Sequence, residues 1–115
     1  MQHISWDTVA VEKLTPTFGR HYVTGKNVML ARVFLKKGNI VPLHHHHNEQ
    51  LSYVLKGKLI FVIDGKDILV KAGEVLIIPP HVPHKVHALS NTLSLDIFGP
   101  PRKDWINKTD DYLRG

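Results

Sequence analysis

Two histidine-bearing segments constrain this 115-residue chain more than any other feature of its sequence. The first runs from a glycine through a short apolar stretch into four consecutive histidines, 44–47, and the second runs from a glycine through a similar stretch to His84. Because side chains alternate along a strand, His44 and His46 should face the same way. Three imidazoles with a carboxamide or carboxylate are a common ligand set for a first-row divalent metal. We therefore predict a metal site to which His84 comes from a second strand.

The histidine run has two other interpretations. It could be the remnant of a purification tag or a loose metal-sequestering tract, or a set of exposed loop histidines without a ligand role. Tags sit at chain termini, whereas this run is internal. Distant landmarks also fall at regular intervals around the histidines, namely Gly38, Gln50 and Gly57 in the first segment and Gly73, Pro79 and His84 in the second.

Composition narrows the class of protein. The length and an apolar fraction of 43% indicate one globular domain over residues 1–115. The chain has no cysteine, which excludes a disulfide framework and a thiolate zinc site and agrees with a cytoplasmic location. We expect no signal peptide and no membrane span, because no apolar run approaches the roughly 20 residues that cross a bilayer.

The net charge of +5 raises the question of a nucleic-acid partner. The lysines are scattered, however, and no basic-aromatic cluster or helix-turn-helix pattern accompanies them. Lysines that protect strand edges from aggregation are one explanation, and a field that attracts a small anionic substrate is another. We expect a small anionic partner and no nucleic acid.

The chain has the pattern of successive short strands separated by glycine and proline turns. The predicted strands cover residues 27–35, 51–55, 58–63, 67–70, 75–78, 85–88 and 92–98. Asp64-Gly65 favours a tight hairpin turn, and Lys56-Gly57 is interpreted as a second hairpin. Such spacing is typical of a sandwich or small barrel. The tail has room for a short helix docked by Trp105 and Leu113.

The two segments together resemble the motifs of the cupin family. Those motifs read Gly, five residues, His-x-His, three or four residues, Glu or Gln, six residues, Gly, and then Gly, five residues, Pro and a later His. The resemblance covers residues 28–98 and implies an all-β fold, a double-stranded β-helix or jelly-roll barrel with a metal inside its mouth. The metal ligands that it implies are His44, His46, Gln50 and His84.

This chain departs from the family pattern at two positions. Gln50 stands where glutamate is usual, and a neutral amide leaves more of the metal charge uncompensated. The site therefore favours polarising an oxygen of an acidic substrate over redox cycling, while Zn, Ni, Fe, Mn and Co all suit the ligands. His81 replaces the usual glycine and is interpreted as a turn or mouth-lining residue. Whether His81 or Arg20 contributes to the site stays open.

The segment 92–104 carries the candidate catalytic residues. Alternation separates its apolar side chains from Asp96 and Phe98. If the apolar side chains pack outward, Asp96 faces the cavity as a candidate general acid/base; the alternative is a solvent-facing carboxylate. Arg102, beyond two prolines, is a candidate bidentate clamp for a substrate carboxylate, or else a surface arginine.

A narrower resemblance adds a substrate class. The stretch 53–57, the two prolines before the last histidine and Asp-x-Phe-x-Pro-Pro-Arg-x-Asp at 96–104 are similar to the pectin-degradation cupins. The resemblance implies a metal-dependent enzyme that converts 4,5-unsaturated uronates to linear 5-keto-4-deoxyuronates, with Asp96, Phe98 and Arg102 in its active site. A different metal-dependent cupin, such as a dioxygenase or isomerase, and a non-catalytic ligand-binding cupin are the alternatives.

The N-terminal segment suggests a partner subunit. Trp6 and Val9 have little to pack on within one small barrel, and an edge strand invites pairing. We therefore expect a homodimer.

Overall fold

The structure, a computed structural model, describes residues 1–115 and consists mainly of antiparallel strands. In chain order the strands are β1 (Glu12–Thr15), β2 (Phe18–Thr24), β3 (Met29–Leu35), β4 (Ile40–His44), β5 (Glu49–Lys56), β6 (Lys58–Ile63), β7 (Lys66–Lys71), β8 (Val75–Ile78), β9 (His84–Ala88) and β10 (Thr92–Gly99). The helical elements are α1 (Lys103–Ile106) and the 3₁₀ turns Trp6–Thr8 and Asp111–Leu113. None of these helices is long and apolar enough to cross a membrane.

The strands form two sheets around one core, as the predicted all-β barrel requires. One sheet has six strands in the order β1-β2-β3-β10-β5-β8, and the other has four in the order β4-β9-β6-β7. All neighbours are antiparallel. The core contains 16 buried apolar residues contributed by both sheets and the tail. Trp105 and Leu113 dock the tail, as expected, and are only 3% and 6% exposed.

The turn at Asp64-Gly65 is confirmed, whereas the one at Lys56-Gly57 is not a hairpin. Asp64 and Gly65 have φ angles of 53° and 72° and join the paired strands β6 and β7. β5 and β6 lie in different sheets, so the chain crosses between the sheets at Gly57. There φ is 88°, and an added Cβ would lie 2.5 Å from the backbone oxygen of Asn91. Only glycine meets both conditions.

The N-terminal segment packs on its own barrel, which corrects the reasoning behind the expected homodimer. Strands β1 and β2 extend the six-stranded sheet beside β3, although the sequence predicted neither strand. The Trp6 ring lies 4.5 Å from the ring of His21, and the Arg32 guanidinium lies 5.5 Å from the Trp6 ring. The polar residues on β2 obscured its alternation. The N-terminal segment therefore does not need a partner subunit to pack against.

A different face of the molecule exposes a patch of apolar side chains. On the outer side of the six-stranded sheet, cross-strand pairing aligns Leu51 with Ile77 and Ile97, and Tyr53 with Val75 and Leu95. Val75 and Ile77 are 53% and 61% exposed. Contiguous apolar patches of this kind mark protein interfaces more often than free surface.

The homodimer thus stays a prediction, with the second copy on this apolar face. Light scattering should give twice the chain mass of 13.1 kDa. Ile77→Lys should shift the protein to monomer, because an unpaired charge is costly in an apolar interface. Leu69→Lys, at an exposed position of the four-stranded sheet, is the matched control. A wild-type mass of one chain would contradict the prediction.

Candidate metal centre

Three histidine side chains converge inside the barrel. His44 ends β4 and is paired directly with His84, the first residue of β9. His46 lies in the loop after β4 rather than on the strand, yet it reaches the same point. One ligand atom from each imidazole lies within 4.8 Å of the other two. The histidine cluster, as we call these three residues, thus has the compactness that a single ion requires.

Each imidazole of the histidine cluster is oriented by a backbone carbonyl. The Nδ1–oxygen distances are 2.7 Å from His44 to Pro42, 3.0 Å from His46 to Asn48 and 2.9 Å from His84 to Val82. A carbonyl only accepts, so each Nδ1 carries the hydrogen and each Nε2 keeps its lone pair. Histidine ligands of metals are typically held in this way. The Nε2 of His84 is buried without a partner, which a metal ion would remedy.

Gln50 adds an oxygen to the same point. Its amide nitrogen donates to the Ser52 hydroxyl at 2.9 Å, which turns the amide oxygen toward the cluster. That oxygen lies 3.1 Å from Nε2 of His46, an atom that already lacks a hydrogen. Two acceptors facing each other at this distance are unfavourable alone but suit two ligands of one cation. The residues present therefore fit a metal ion.

Burial keeps the histidine cluster neutral. It lowers the pKa of His44 to about 3 and that of His46 to about 4, with neighbouring positive charges acting in the same direction. It lowers the pKa of His84 as well. Because metals bind the neutral imidazole, the three ligand atoms are available at neutral pH without first losing a proton.

The cluster opens onto an internal cavity with a mostly apolar lining. Its polar lining residues are His44, Gln50, His84, Ser94, Asp96, Arg102 and Tyr112. The apolar walls come from both sheets and from α1 and the tail. A charged or polar ligand in this space would meet few competing waters, so each polar contact would be strengthened.

Asp96 lies on the inner side of β10, so the solvent-facing alternative is wrong. It lines the cavity together with Phe98, whereas the apolar residues Leu95 and Ile97, which alternate with them, do not line it. The Ser94 hydroxyl donates to the Asp96 carboxylate at 2.9 Å. Burial raises the pKa of Asp96 to about 6, although hydrogen bonds from Ser52 and Ser94 and the charge of Arg102 oppose the shift.

Arg102 is buried, so it is not a surface arginine. Its Nε and Nη2 donate to the two Asp104 oxygens at 2.9 and 2.8 Å, and Nη2 also donates to the Tyr112 hydroxyl at 2.5 Å. The guanidinium lies 5.0 Å from the ring centres of both Phe98 and Trp105. Nη1 is therefore the only guanidinium nitrogen without a protein partner. Arg102 can offer one nitrogen to a substrate carboxylate, instead of the two that the predicted bidentate contact would use.

Two further polar residues, Tyr112 and Asp104, contact the predicted site residues, although no role was predicted for them from the sequence. Tyr112 stacks on His44 with ring centres 4.7 Å apart, and Asp104 holds Arg102. Hydrogen bonding to Arg102, and its charge, lower the pKa of Asp104 against the effect of burial. The Arg-x-Asp spacing was a signal for Asp104, but nothing in the sequence marked Tyr112.

The two residues left open by the sequence lie outside the histidine cluster. His81 is an exposed turn residue with φ of 68°, and its backbone N–H donates to the His46 carbonyl at 2.7 Å. Arg20 pairs instead with Asp110 at 2.6 Å.

The metal-free protein should lose stability as the pH falls from about 7 to about 5. On unfolding, the three imidazoles regain their ordinary pKa of 6.5 and take up protons that the fold excludes. Each contributes a slope of up to about 1.4 kcal/mol per pH unit. Asp96 acts in the opposite direction, because its raised pKa favours the fold in acid, but it is one group against three.

Urea unfolding in the presence of a chelator measures this effect. His44→Gln should flatten the pH dependence, whereas His3→Gln, at an exposed N-terminal position, should leave it as in the wild type. A wild-type free energy of unfolding that is constant over this pH range would contradict the explanation.

Comparisons with known proteins agree with this architecture. Residues 31–98 match the family model described as the cupin domain. The pectin degradation protein KdgF of Dickeya dadantii is 28% identical over 103 residues, which cover 87% of this chain and 94% of that protein. The oxalate-binding protein of Thermotoga maritima is 35% identical over 65 residues, 56% of this chain. The chain spans about half the length of that relative and of an uncharacterized protein of Methanocaldococcus jannaschii, at 54% each.

Solved structures show the same fold. An RmlC-like cupin from Shewanella frigidimarina superposes with a TM-score of 0.84 at 26% identity, over 91% of this chain and 96% of that one. KdgF from Halomonas sp. superposes with a TM-score of 0.80 at 24% identity, over 86% of this chain and 94% of that one. Since the family model matches more than half of its residues, the chain belongs to the cupin domain family, and within it resembles the pectin-degradation cupins.

Proposed function

We propose that the protein is a metal-dependent cupin enzyme that opens 4,5-unsaturated uronate monomers to linear 5-keto-4-deoxyuronates. The observation that carries the proposal is a single cavity lined by two imidazoles of the histidine cluster, those of His44 and His84, together with a carboxyl group of raised pKa and a buried guanidinium. The similarity to KdgF of Dickeya dadantii, which extends along most of both chains, supports the substrate class.

In this proposal His44, His46, Gln50 and His84 hold a divalent transition metal such as Zn, Ni, Fe, Mn or Co. The ion supplies Lewis acidity, which polarises an oxygen of the bound sugar acid. Because Gln50 contributes a neutral amide where glutamate would contribute a charge, the site attracts an anionic substrate more strongly.

Asp96 moves the proton. As a carboxylate it accepts the proton of the anomeric hydroxyl while the bond between the anomeric carbon and the ring oxygen breaks, which leaves an aldehyde and an enolate. As the acid it then delivers the same proton to C4, and the enolate becomes the 5-ketone. The proton is returned, so the reaction is an isomerisation. A pKa of about 6 makes both forms of Asp96 accessible near neutral pH.

Arg102 and Phe98 bind the substrate. Arg102 offers its Nη1 to the substrate carboxylate, while Asp104 fixes the other edge of the guanidinium. Phe98 lies against the guanidinium and against the ring of His46, so it lines the sugar pocket between the metal and the carboxylate. A fixed arginine loses little conformational freedom on binding, which favours a small anion.

One observation favours a second candidate function. The oxalate-binding protein of Thermotoga maritima is more similar over its matched residues than KdgF is, at 35% against 28% identity. An apolar cavity with one available guanidinium nitrogen and a metal would also suit a small dicarboxylate. The alternative is therefore a cupin that binds or converts such an acid.

The uronate reaction is tested by following the ultraviolet absorbance of the enol-ether double bond in a 4,5-unsaturated galacturonate monomer. Metal-loaded protein should accelerate the loss of absorbance, and protein stripped with EDTA should not. Reloading the stripped protein with single metals would identify the active one. A rate equal to the spontaneous rate with every metal would contradict the proposal, and calorimetric titration with oxalate would then test the alternative.

Asp96→Asn should lower turnover by at least about 100-fold, because the amide can neither accept nor return the proton. Its metal content, measured by mass spectrometry, should remain that of the wild type, since Asp96 is not among the proposed ligands. Asp67→Asn, on an exposed part of β7, is the matched control and should remain active. Undiminished turnover in Asp96→Asn would remove Asp96 from the mechanism.

A further inference from the structure

Four charged residues, two of them fully buried, form a cluster that the proposed chemistry does not use. Asp110 and Arg20 have no exposed side-chain surface, and Arg20 Nη2 lies 2.6 Å from a carboxylate oxygen of Asp110. The second Asp110 oxygen accepts from Arg114 at 2.9 Å. Glu12 on β1 lies 3.4 Å from Arg20 and 3.5 Å from Arg114. Two positive and two negative charges thus connect the C-terminal segment to β1 and β2; we call these four residues the clamp.

The segment held by the clamp has little regular structure of its own. Its single 3₁₀ turn has two backbone hydrogen bonds, from Leu113 to Asp110 and from Arg114 to Asp111, each of 3.0 Å. Such a turn is not stable alone. The ion pairs and the burial of Leu113 are therefore the main interactions that fix the segment on the barrel.

Tyr112 projects from this segment into the candidate metal centre. Its ring lies at 30° to the ring of His44, with centres 4.7 Å apart. Its hydroxyl accepts a hydrogen bond from Nη2 of Arg102. The side chain of Tyr112 thus contacts both a proposed metal ligand and the proposed carboxylate-binding arginine. Neither of those two residues belongs to the 3₁₀ turn that carries Tyr112.

We propose that Tyr112 is a positioning residue that covers His44 and fixes Arg102, and that the clamp of Glu12, Arg20, Asp110 and Arg114 holds it in place. The stacked ring restricts rotation of the imidazole and shields that side of the cluster from water. This inference rests on the proposed metal site, because Tyr112 can retain a metal only if the proposed ligands bind one. It does not depend on the uronate reaction.

The first test is the rate at which zinc-loaded protein releases its metal to an excess of a coloured chelator. Tyr112→Ala should release zinc about tenfold faster than the wild type, as is typical when the support of a ligand histidine is lost. Tyr112→Phe keeps the stacked ring and should release zinc at the wild-type rate. Leu69→Ala, at an exposed position of the four-stranded sheet, is the control and should also behave like the wild type.

The clamp is tested with a mild and a severe variant. Asp110→Asn removes the nearer and fully buried charge partner of Arg20, which leaves only Glu12 at 3.4 Å, and will destabilise the fold strongly. Arg114→Gln is milder, because Arg114 is 30% exposed and the pair between Arg20 and Asp110 remains. Arg114→Gln should release zinc at a rate between those of the wild type and Tyr112→Ala, and the amides of residues 110–114 should exchange hydrogen faster. Lys108→Gln, exposed and outside the clamp, is the control.

The outcomes separate this inference from the proposed function. Wild-type zinc release by Tyr112→Ala would overturn the role of Tyr112, and unchanged hydrogen exchange in Arg114→Gln would overturn the clamp. A wild-type protein that binds no zinc, nor any other of the five candidate metals, would overturn the metal site and this role together. Neither measurement uses a uronate, so a failure of the proposed reaction leaves both results valid.

Discussion

The pairing of β4 with β9 is the constraint on which the candidate site depends. It brings His44 opposite His84, although the two residues belong to separate segments of the chain. A slip of one residue in either strand would turn the imidazole of that strand to the outside of the barrel. The pairing is irregular between Val41 and His44, so the register shifts between a core residue of β4 and the first histidine of the site.

Burial gives the site its chemistry and limits its stability. The same loss of solvent that keeps the imidazoles neutral raises the pKa of Asp96 and leaves Nε2 of His84 without a partner. These polar groups occupy interior positions that apolar side chains would fill more favourably. Proteins commonly retain such destabilising arrangements at functional sites.

Local patterns in the sequence predicted most of the barrel and the outline of the site. The Asp64-Gly65 turn and the strand bounded by Pro79 follow from short-range rules of backbone geometry and alternation. The spacing of the two histidine segments indicated that the three histidines converge, although His46 lies in a loop and not on the strand as alternation had predicted. The crossing at Gly57 could not be distinguished from a hairpin, because both place glycine at a positive φ, and the choice depends on strands that are distant in sequence.

Long-range ion pairing explains what the sequence could not indicate. β2 carries Arg20 at a core position, which breaks the apolar alternation, and its partner Asp110 lies near the other end of the chain. Neither residue is conspicuous alone. Tyr112 was missed for the same reason, since its place over His44 exists only once those two charges have met.

The position of Tyr112 also separates the formation of the site from its closure. The proposed ligands lie on β4, β5 and β9 and in the loop after β4, whereas Tyr112 lies in a terminal turn held by ion pairs and by Leu113. Local opening of this turn would uncover His44 while both sheets stay paired. The exchange of a bound ion would then follow the fraying of the tail and not the unfolding of the barrel.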